Sequence, residues 1–168
     1  MRSRVRFGRV IDFRKDVLPC CGITAAPDQQ SFGPVWDQLP QGVCWLEACV
    51  EASDLERFYV VGSPDWKEAF GSFRLTKIAT FGADAQDDPS HHHSRIVKLG
   101  RAYLTGQRLP PVVAIAYSGE GPFVILDGNH RAVAMQRHQL FSGQQIRLGL
   151  HASMGTAYVW FRHLAHLE

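Results

Sequence analysis

The amino-acid sequence predicts an α/β (α+β) protein, built as a single domain around one small mixed β-sheet flanked by helices. The chain has 168 residues, a usual length for one domain. Its composition, 45% hydrophobic and 20% charged, is that of an ordinary globular protein. Apolar segments of strand type alternate with segments of helical spacing. We expect residues 1–168 to form one domain, with a core over 73–150, an N-terminal embellishment over 1–72 and a C-terminal helix over 151–168.

The N-terminal third of the sequence mixes patterned and irregular segments. Residues 4–13 alternate imperfectly between apolar and polar side chains, which predicts a strand. Residues 18–41 contain four prolines, so we expect a long loop there. Residues 43–52 predict a short helix, and the β-branched and aromatic residues of 57–61 predict a strand. The predicted helix has four apolar residues on one face: Trp45, Leu46, Cys49 and Val50.

A second helix is predicted by its end signals. Ser63 offers an N-cap oxygen, Pro64 suits the first helical position because no hydrogen bond is lost there, and Gly71 is a typical stop. Residues 73–81 then alternate between apolar and polar side chains, which predicts a strand that leads into the acidic loop 82–89.

The next helix is predicted to begin after Ser90, which serves as its N-cap. The apolar residues Ile96, Leu99 and Tyr103 recur at helical spacing on one face, and Gly106 ends the segment.

The remaining elements follow in close succession. Residues 112–117 and 122–126 predict two buried strands joined by a Ser-Gly-Glu-Gly hairpin loop. Residues 131–139 are rich in helix formers, residues 146–150 predict a last strand, and residues 153–167 predict a last helix.

The charge balance excludes little by itself. Lysine and arginine total 18 against 16 acidic residues, and a net charge of +2 is too small to imply nucleic acid or an anionic membrane as a partner. Six of the first fifteen residues are basic, so any polyanion-binding surface is expected near this end. They are Arg2, Arg4, Arg6, Arg9, Arg14 and Lys15.

The four cysteines fit a reducing compartment. Cys20 and Cys21 are adjacent, and Cys44 and Cys49 do not have the spacing of a zinc or redox motif. The N-terminus lacks the apolar segment of a signal peptide, and no run of residues is long enough to span a membrane. We expect a soluble cytoplasmic protein whose thiols are reduced and play no catalytic role.

The residues that carry chemistry follow the second strand of the hairpin. Asp127, Gly128, Asn129, His130 and Arg131 join this buried strand to a helix. The free N–H groups and positive dipole end of such a helix bind anions, glycine lets a phosphate approach, and His130 and Arg131 can donate side-chain hydrogen bonds. The alternative reading is that Asp127 or Asn129 caps the helix and Arg131 is a surface residue.

The segment PPVVAIAYSGEGPFVILDGNHRAVAMQRH, with the helix before it, resembles the ParB/sulfiredoxin superfamily over about residues 73–150. In that superfamily, a Pro-Pro pair, a two-stranded hairpin and a Gly-x-His-Arg turn open a nucleotide-binding helix. The resemblance implies binding of ATP, CTP or another nucleotide, with Mg²⁺. The residues implied are Ser94, Gly128, Asn129, His130 and Arg131 for the nucleotide, with Asp127 orienting the turn or reaching Mg²⁺ and with Asp127 and His130 as the catalytic pair.

Differences from two branches of the superfamily narrow the activity that the resemblance implies. Asn129 stands where sulfiredoxins have their reactive cysteine, and His91 stands where they have a lysine. About 37 residues follow Arg131, too few for the helix-turn-helix of the chromosome-segregation proteins. The Asp-Gly-x-His-Arg form is closer to free-serine kinases and to stand-alone ParB-like proteins described as nucleases or NTPases.

Three functions from different classes remain open at this stage. The first is an Mg²⁺-dependent NTPase or phosphotransferase, because phosphoryl transfer mainly needs positioning and charge neutralisation. The second is a DNA-binding nuclease or accessory factor that uses the basic N-terminus for the DNA backbone. The third is a module that senses a nucleotide or docks a partner without turnover. The acceptor, small molecule or protein, is unspecified, and no membrane partner is expected.

Two further groups of residues have alternative readings. The consecutive histidines 91–93 cannot all face one point on a helix, so we expect them to face phosphate or solvent rather than a dedicated metal site. The acidic cluster of Asp84, Asp87 and Asp88 either contributes carboxylates to Mg²⁺ or is a solvated loop.

Overall fold

The computed structural model describes residues 5–22, 34–80 and 91–152, and these residues build one open mixed sheet. Six strands lie in the order β1-β2-β6-β4-β5-β3 within this part of the chain. The β4–β6 and β3–β5 pairs are parallel, and the other neighbours are antiparallel. The strands are β1 (Arg6–Val10), β2 (Cys44–Cys49), β3 (Phe58–Tyr59), β4 (Val113–Ala116), β5 (Phe123–Asp127) and β6 (Gln145–Leu150).

The helices are mostly short. They are α1 (Pro34–Asp37), α2 (Pro64–Phe70), α3 (Leu75–Thr80), α4 (His91–Leu104) and α5 (Asn129–Arg137). Irregular helical turns cover Phe13–Val17, Leu18–Cys21 and Ala52–Arg57.

The two faces of the sheet are covered by different parts of the chain. On the helical face, Ala114, Ile125 and Leu148 belong to one buried core with residues of α2 to α5. On the opposite face, alternate strand residues such as Ile115 and Leu126 pack in a second buried cluster. The N-terminal members of this second cluster are Ile11, Phe13, Val17, Cys20, Cys21, Trp36, Leu39, Val43 and Trp45. Because both faces are covered, the central strands are apolar on both sides.

The fold class is confirmed at the level of a mixed α and β protein with one open mixed sheet. The predicted strands in 4–13, 57–61, 112–117, 122–126 and 146–150 each overlap an observed strand. The helices predicted after Ser63, after Ser90 and over residues 131–139 are also present, the last of them as Asn129–Arg137, although Ser90 itself lies outside the described residues. The acidic loop 82–89 and the predicted helix 153–167 lie outside them as well. Residues 1–72 contribute three strands to the same sheet as 73–150.

The helix predicted over residues 43–52 is wrong, because this segment forms strand β2. β2 pairs along its whole length with β6, Trp45 opposite Gly149 and Ala48 opposite Ile146, and its other edge pairs with β1. Trp45 belongs to the cluster on one face of the sheet and Ala48 to the core on the other. A strand covered on both faces carries apolar residues without strict alternation, which resembles helical spacing in the sequence.

The strand predicted over residues 73–81 is also wrong, because most of it is helix α3. Arg74 makes one isolated antiparallel bridge with Tyr59, after which the chain turns into the helix. Leu75 and Ile78 are three residues apart and both fully buried, so they form the inner face of α3. Short segments with these residues fit either period, and packing against α5 favours the helix.

Candidate functional site

The candidate site is the turn between β5 and α5, and its shape depends on glycine. Gly128 is the N-cap of α5 and has a φ of 84°, in the left-handed region that favours glycine. A Cβ added at Gly128 would lie 2.8 Å from Nη2 of Arg131, so glycine is required for space as well. The first hydrogen bond of the helix runs from Ala132 N to Gly128 O, at 2.8 Å. The predicted strand-to-helix turn is therefore confirmed.

The start of α5 has free hydrogen-bond donors. The backbone N–H groups of Asn129, His130 and Arg131 have no acceptor among the described residues, as expected for the first turn of a helix. The positive end of the helix dipole lies at the same place. This turn has the features of an anion site that the sequence predicts.

Asp127 and Arg131 form an ion pair on one side of the turn. Nη2 of Arg131 donates to Asp127 Oδ2 at 2.7 Å and to the Pro111 carbonyl at 3.4 Å. The Arg131 side chain is 17% exposed, and its buried Nε has no acceptor among the described residues. Arg131 is therefore tied to the protein and does not extend freely from the turn.

Burial, and secondarily the Asp127 carboxylate, raises the pKa of the neighbouring Cys21 thiol to about 12.

Asn129 connects the turn to the segment after β3. Its Oδ1 accepts a hydrogen bond from the backbone N–H of Val61 at 2.9 Å. No described side chain caps α5 at Gly128, and the Asp127 carboxylate is paired with Arg131. The reading of Asp127 or Asn129 as a helix cap is therefore wrong.

His130 lies at the end of a hydrogen-bonded chain of three side chains, which we call the Asp65–His92–His130 chain. Nε2 of His130 is 2.8 Å from Nδ1 of His92, and Nε2 of His92 is 2.9 Å from Oδ2 of Asp65. His92 is buried, with 3% of its side chain exposed, whereas the Asp65 side chain is 51% exposed. The chain thus runs from the surface, through a buried imidazole, to the first turn of α5.

Three helices position these side chains. Asp65 is in the first turn of α2, where Ser63 also donates to its Oδ1, and His92 is in the first turn of α4. The ring centroid of Trp66 lies 4.4 Å from that of His92 and 4.9 Å from that of His130. The indole therefore shields both imidazoles from solvent.

The expectation that all three consecutive histidines face phosphate or solvent is wrong for His92. Its burial against Trp66 places it inside the protein, and both of its ring nitrogens have protein partners. His91 is exposed and stacks on His92 with ring centroids 5.1 Å apart. His93 lines a half-open groove of about 370 Å³ between α3, α4 and α5. The three histidines do point in different directions, as the helical geometry requires.

The surroundings fix the charge at both ends of the Asp65–His92–His130 chain. Burial lowers the pKa of His130 to about 4, and the positive charge of Arg95 adds to this effect, as would a proton on His92 or His91. Burial opposes ionisation of Asp65, but hydrogen bonds from Ser63 and His92 outweigh it and hold the Asp65 pKa below its usual value. At neutral pH, His130 is an uncharged imidazole and Asp65 is a carboxylate.

Ser94 has no contact with the turn among the described residues. It is exposed on α4, and its hydroxyl donates to the His91 carbonyl at 3.1 Å. The structure therefore brings Asp127, Gly128, Asn129, His130 and Arg131 together and leaves Ser94 apart from them.

The described residues do not fit a protein-held metal ion. No group of three or more histidine, cysteine, aspartate or glutamate side chains with metal-ligand geometry occurs within 5–22, 34–80 and 91–152. Asp127 is the carboxylate of the turn, and it is paired with Arg131. The acidic cluster Asp84, Asp87 and Asp88 lies outside the described residues.

Sequence reasoning missed Asp65, His92, Trp66 and Cys21 as neighbours of the turn. The Ser-Pro-Asp helix start and the three histidines were visible as local features, but no local pattern links them to His130. The partners of His92 are 27 and 38 residues away in the sequence. In the sequence, the only feature that points toward His92 is its place in the first turn of the helix predicted after Ser90.

Comparisons with known proteins give no relative. No protein-family model, no curated protein and no solved structure matches the chain. In the part of the chain that the structure covers, no helix is long and apolar enough to cross a membrane. All four cysteines are free. The ParB/sulfiredoxin resemblance therefore remains a prediction from the sequence.

Proposed function

We propose that this protein binds the phosphates of a nucleotide, ATP or CTP, at the N-terminus of α5 and acts as an NTPase or phosphotransferase. One observation carries the proposal. The nine-residue helix α5 begins with three backbone N–H groups that have no acceptor among the described residues, next to an uncharged, half-buried His130. Together these groups supply donors for phosphate oxygens and an imidazole for proton transfer.

The phosphates bind through the backbone of the turn. The N–H groups of Asn129, His130 and Arg131 donate to phosphate oxygens, and the absence of a side chain at Gly128 lets the phosphates approach. The helix dipole favours negative charge at this end of α5. Arg131 adds positive charge, which Asp127 partly neutralises, so its main role is to hold the shape of the turn.

His130 serves as the proton acceptor. Its pKa of about 4 leaves the imidazole uncharged at neutral pH, so a ring nitrogen can accept a proton from a water or hydroxyl that attacks the phosphate. The low pKa makes His130 a weak base. Positioning of the nucleotide therefore provides the larger part of the rate.

Mg²⁺ enters the proposal as the counter-ion of the nucleotide. Phosphate oxygens and water can supply most of its octahedral ligands. Because Asp127 is already in an ion pair, no step is assigned to a protein-held metal ion.

The test uses two variants that differ only in charge. His130→Asp places a carboxylate beside the phosphates, and His130→Asn is its uncharged, nearly isosteric control. An aspartate is favourable in the first turn of a helix, so both variants should fold. Isothermal titration with ATP, CTP and GTP in the presence of Mg²⁺ should give an affinity ~10-fold weaker for the aspartate than for the asparagine variant. Equal affinities, or a folded wild type that binds none of the three, would refute the phosphate site.

Turnover separates an enzyme from a sensing module. Release of inorganic phosphate from the bound nucleotide, or transfer to an added hydroxyl acceptor, supports the enzyme. Tight binding with thermal stabilisation and no turnover supports the non-catalytic alternative.

The DNA-binding alternative has no specific support from the described residues. Arg6 is ion-paired with Glu51 at 2.7 Å, and Arg9 with Glu47 at 3.1 Å. Residues 1–4 lie outside the described residues. Two of the basic side chains at this end therefore already have protein carboxylates as partners.

A further inference from the structure

We propose that Asp65 and His92 are positioning residues that form a proton relay with His130, which fixes the tautomer of His130 and connects the turn before α5 to solvent. This inference deepens the proposed function and rests on it. The proposal is based on two consecutive hydrogen bonds, 2.8 Å and 2.9 Å long, which connect His130 to Asp65 through the buried ring of His92.

The first step assigns the protons. A carboxylate can only accept hydrogen bonds, so the short contact with Asp65 requires the proton of His92 to be on Nε2. The relay requires an uncharged His92 ring, in which Nδ1 is an acceptor. Nε2 of His130 must donate to it, which leaves Nδ1 of His130 with a free lone pair. Nδ1 has no hydrogen-bond partner among the described residues, so it is the atom available to a reacting hydroxyl.

The second step is the transfer itself. When Nδ1 of His130 takes the proton of an attacking water or hydroxyl, its Nε2 proton passes to Nδ1 of His92. The Nε2 proton of His92 then passes to Oδ2 of Asp65. Each ring ends uncharged, one O–H bond of the attacking group is broken, and one O–H bond forms on Asp65. Because about half of the Asp65 side chain is exposed, the proton can leave to solvent from there.

The surroundings of His130 explain why a relay is useful. The charged and titratable groups around it are Arg95, His91 and His92 from α4 and Asp65 from α2. The indole of Trp66 covers the ring. Burial and the nearby Arg95 guanidinium disfavour an imidazolium at this position, so a base that passes its proton onward avoids the charged state.

Tautomers can be measured on the wild-type protein by ¹⁵N NMR of labelled histidine rings. The chain has eight histidines, and single His→Gln variants assign the signals of His92 and His130. At pH 7, both rings should show a proton on Nε2 and a bare Nδ1. A proton on Nδ1 of His130, or a rapidly averaged mixture of tautomers, would overturn the relay.

Turnover measurements test the function of the relay. His92→Gln keeps an N–H donor for Asp65 but cannot take a proton from His130 and pass it on to Asp65. Asp65→Ala removes the end of the chain, and Glu68→Ala, an exposed carboxylate on the same helix α2, is the matched control. We expect kcat to fall ~100-fold in the first two variants, KM to change less than about twofold, and the control to behave as wild type. An unchanged kcat in His92→Gln would overturn the relay, whatever the effect on stability.

Failure of the relay and failure of the proposed function give different results. If the wild type binds no nucleotide while both rings show the expected tautomers, the proton arrangement of the relay is supported and the phosphate site is refuted. If nucleotide is bound and turned over but His130 carries its proton on Nδ1, the relay is refuted and the phosphate site stands.

Discussion

Two neighbouring residues in the first turn of α5, Arg131 and His130, are held in opposite ways. Arg131 is paired with a carboxylate four residues earlier, at 2.7 Å, and its side chain is 17% exposed. Within the described part of the chain, His130 has no carboxylate in direct contact and instead shares a hydrogen bond with the buried ring of His92. One side chain keeps a fixed charge within the protein, and the other is held without charge.

The difference follows from the chemistry of the two groups. A guanidinium cannot lose its proton under ordinary conditions, so partial burial requires a partner of opposite charge. An imidazole can lose its proton, so burial changes its protonation state and lowers its pKa. Arg131 and Asp127 therefore stabilise the turn, whereas His130 is available for proton transfer. Four measurements test this difference.

The largest effect is expected on turnover. His130→Ala should lower kcat at least ~100-fold with little change in the free energy of unfolding, because the ring is a proton acceptor and not part of the main core. Phosphate-release assays and urea denaturation of the same preparations measure both quantities. A variant that loses stability and activity in parallel would show that His130 is structural, as Arg131 is.

The next effect concerns the ion pair. Asp127→Ala leaves the guanidinium of Arg131 without its carboxylate and should destabilise the fold by ~2 kcal/mol, since hydrogen bonds to charged groups contribute about this much. The double variant Asp127→Ala/Arg131→Ala should recover part of the loss, and urea denaturation of the double-mutant cycle gives the coupling. Strictly additive losses would mean that the pair does not stabilise the turn.

A smaller effect is expected at the glycine of the turn. Gly128→Ala forces alanine to adopt a φ of 84°, which should lower the free energy of unfolding by ~1–2 kcal/mol for the backbone alone. The substitution also places a Cβ against Arg131. Gly106→Ala is the matched control, because Gly106 has a φ of 79° and no atom within 4 Å of its added Cβ. The difference between the two free energies of unfolding measures the contact with Arg131. If Gly106→Ala costs as much as Gly128→Ala, space at the turn is not limiting.

The smallest effect is the pH dependence of stability. The pKa of His130 is lowered from 6.5 to about 4 in the folded protein, so the unfolded chain binds a proton first as the pH falls. The contribution of His130 to the free energy of unfolding is complete above pH ~6.5 and is lost between that value and about pH 4. After allowance for solvent screening, this contribution amounts to ~1 kcal/mol. The low pKa of Asp65 acts in the same direction at lower pH. Urea denaturation between pH 7.5 and 4 should show a flatter profile for His130→Gln than for wild type. Parallel profiles for the two proteins would contradict the lowered pKa of His130.

Much of the fold around the site could be predicted from local signals. The hairpin of β4 and β5, the left-handed Gly128 and the ends of α2 follow from turn glycines, prolines and apolar runs. These signals act over a few residues and need no partner elsewhere in the chain. Local patterns predict a helix where β2 lies and a strand where α3 lies. Each segment is short, and its apolar residues suit both the helical and the strand period.

Local backbone preferences and apolar periodicity are enough to specify the mixed α and β class and the Asp-Gly-Asn-His-Arg turn at the start of a helix. The contacts of the side chains in that turn depend instead on tertiary packing. The fold brings His92 next to His130, 38 residues later in the sequence, and next to Asp65, 27 residues earlier. It also encloses the turn enough to change the protonation of an imidazole. Such contacts depend on how helices pack on the sheet, which no local pattern of residues specifies.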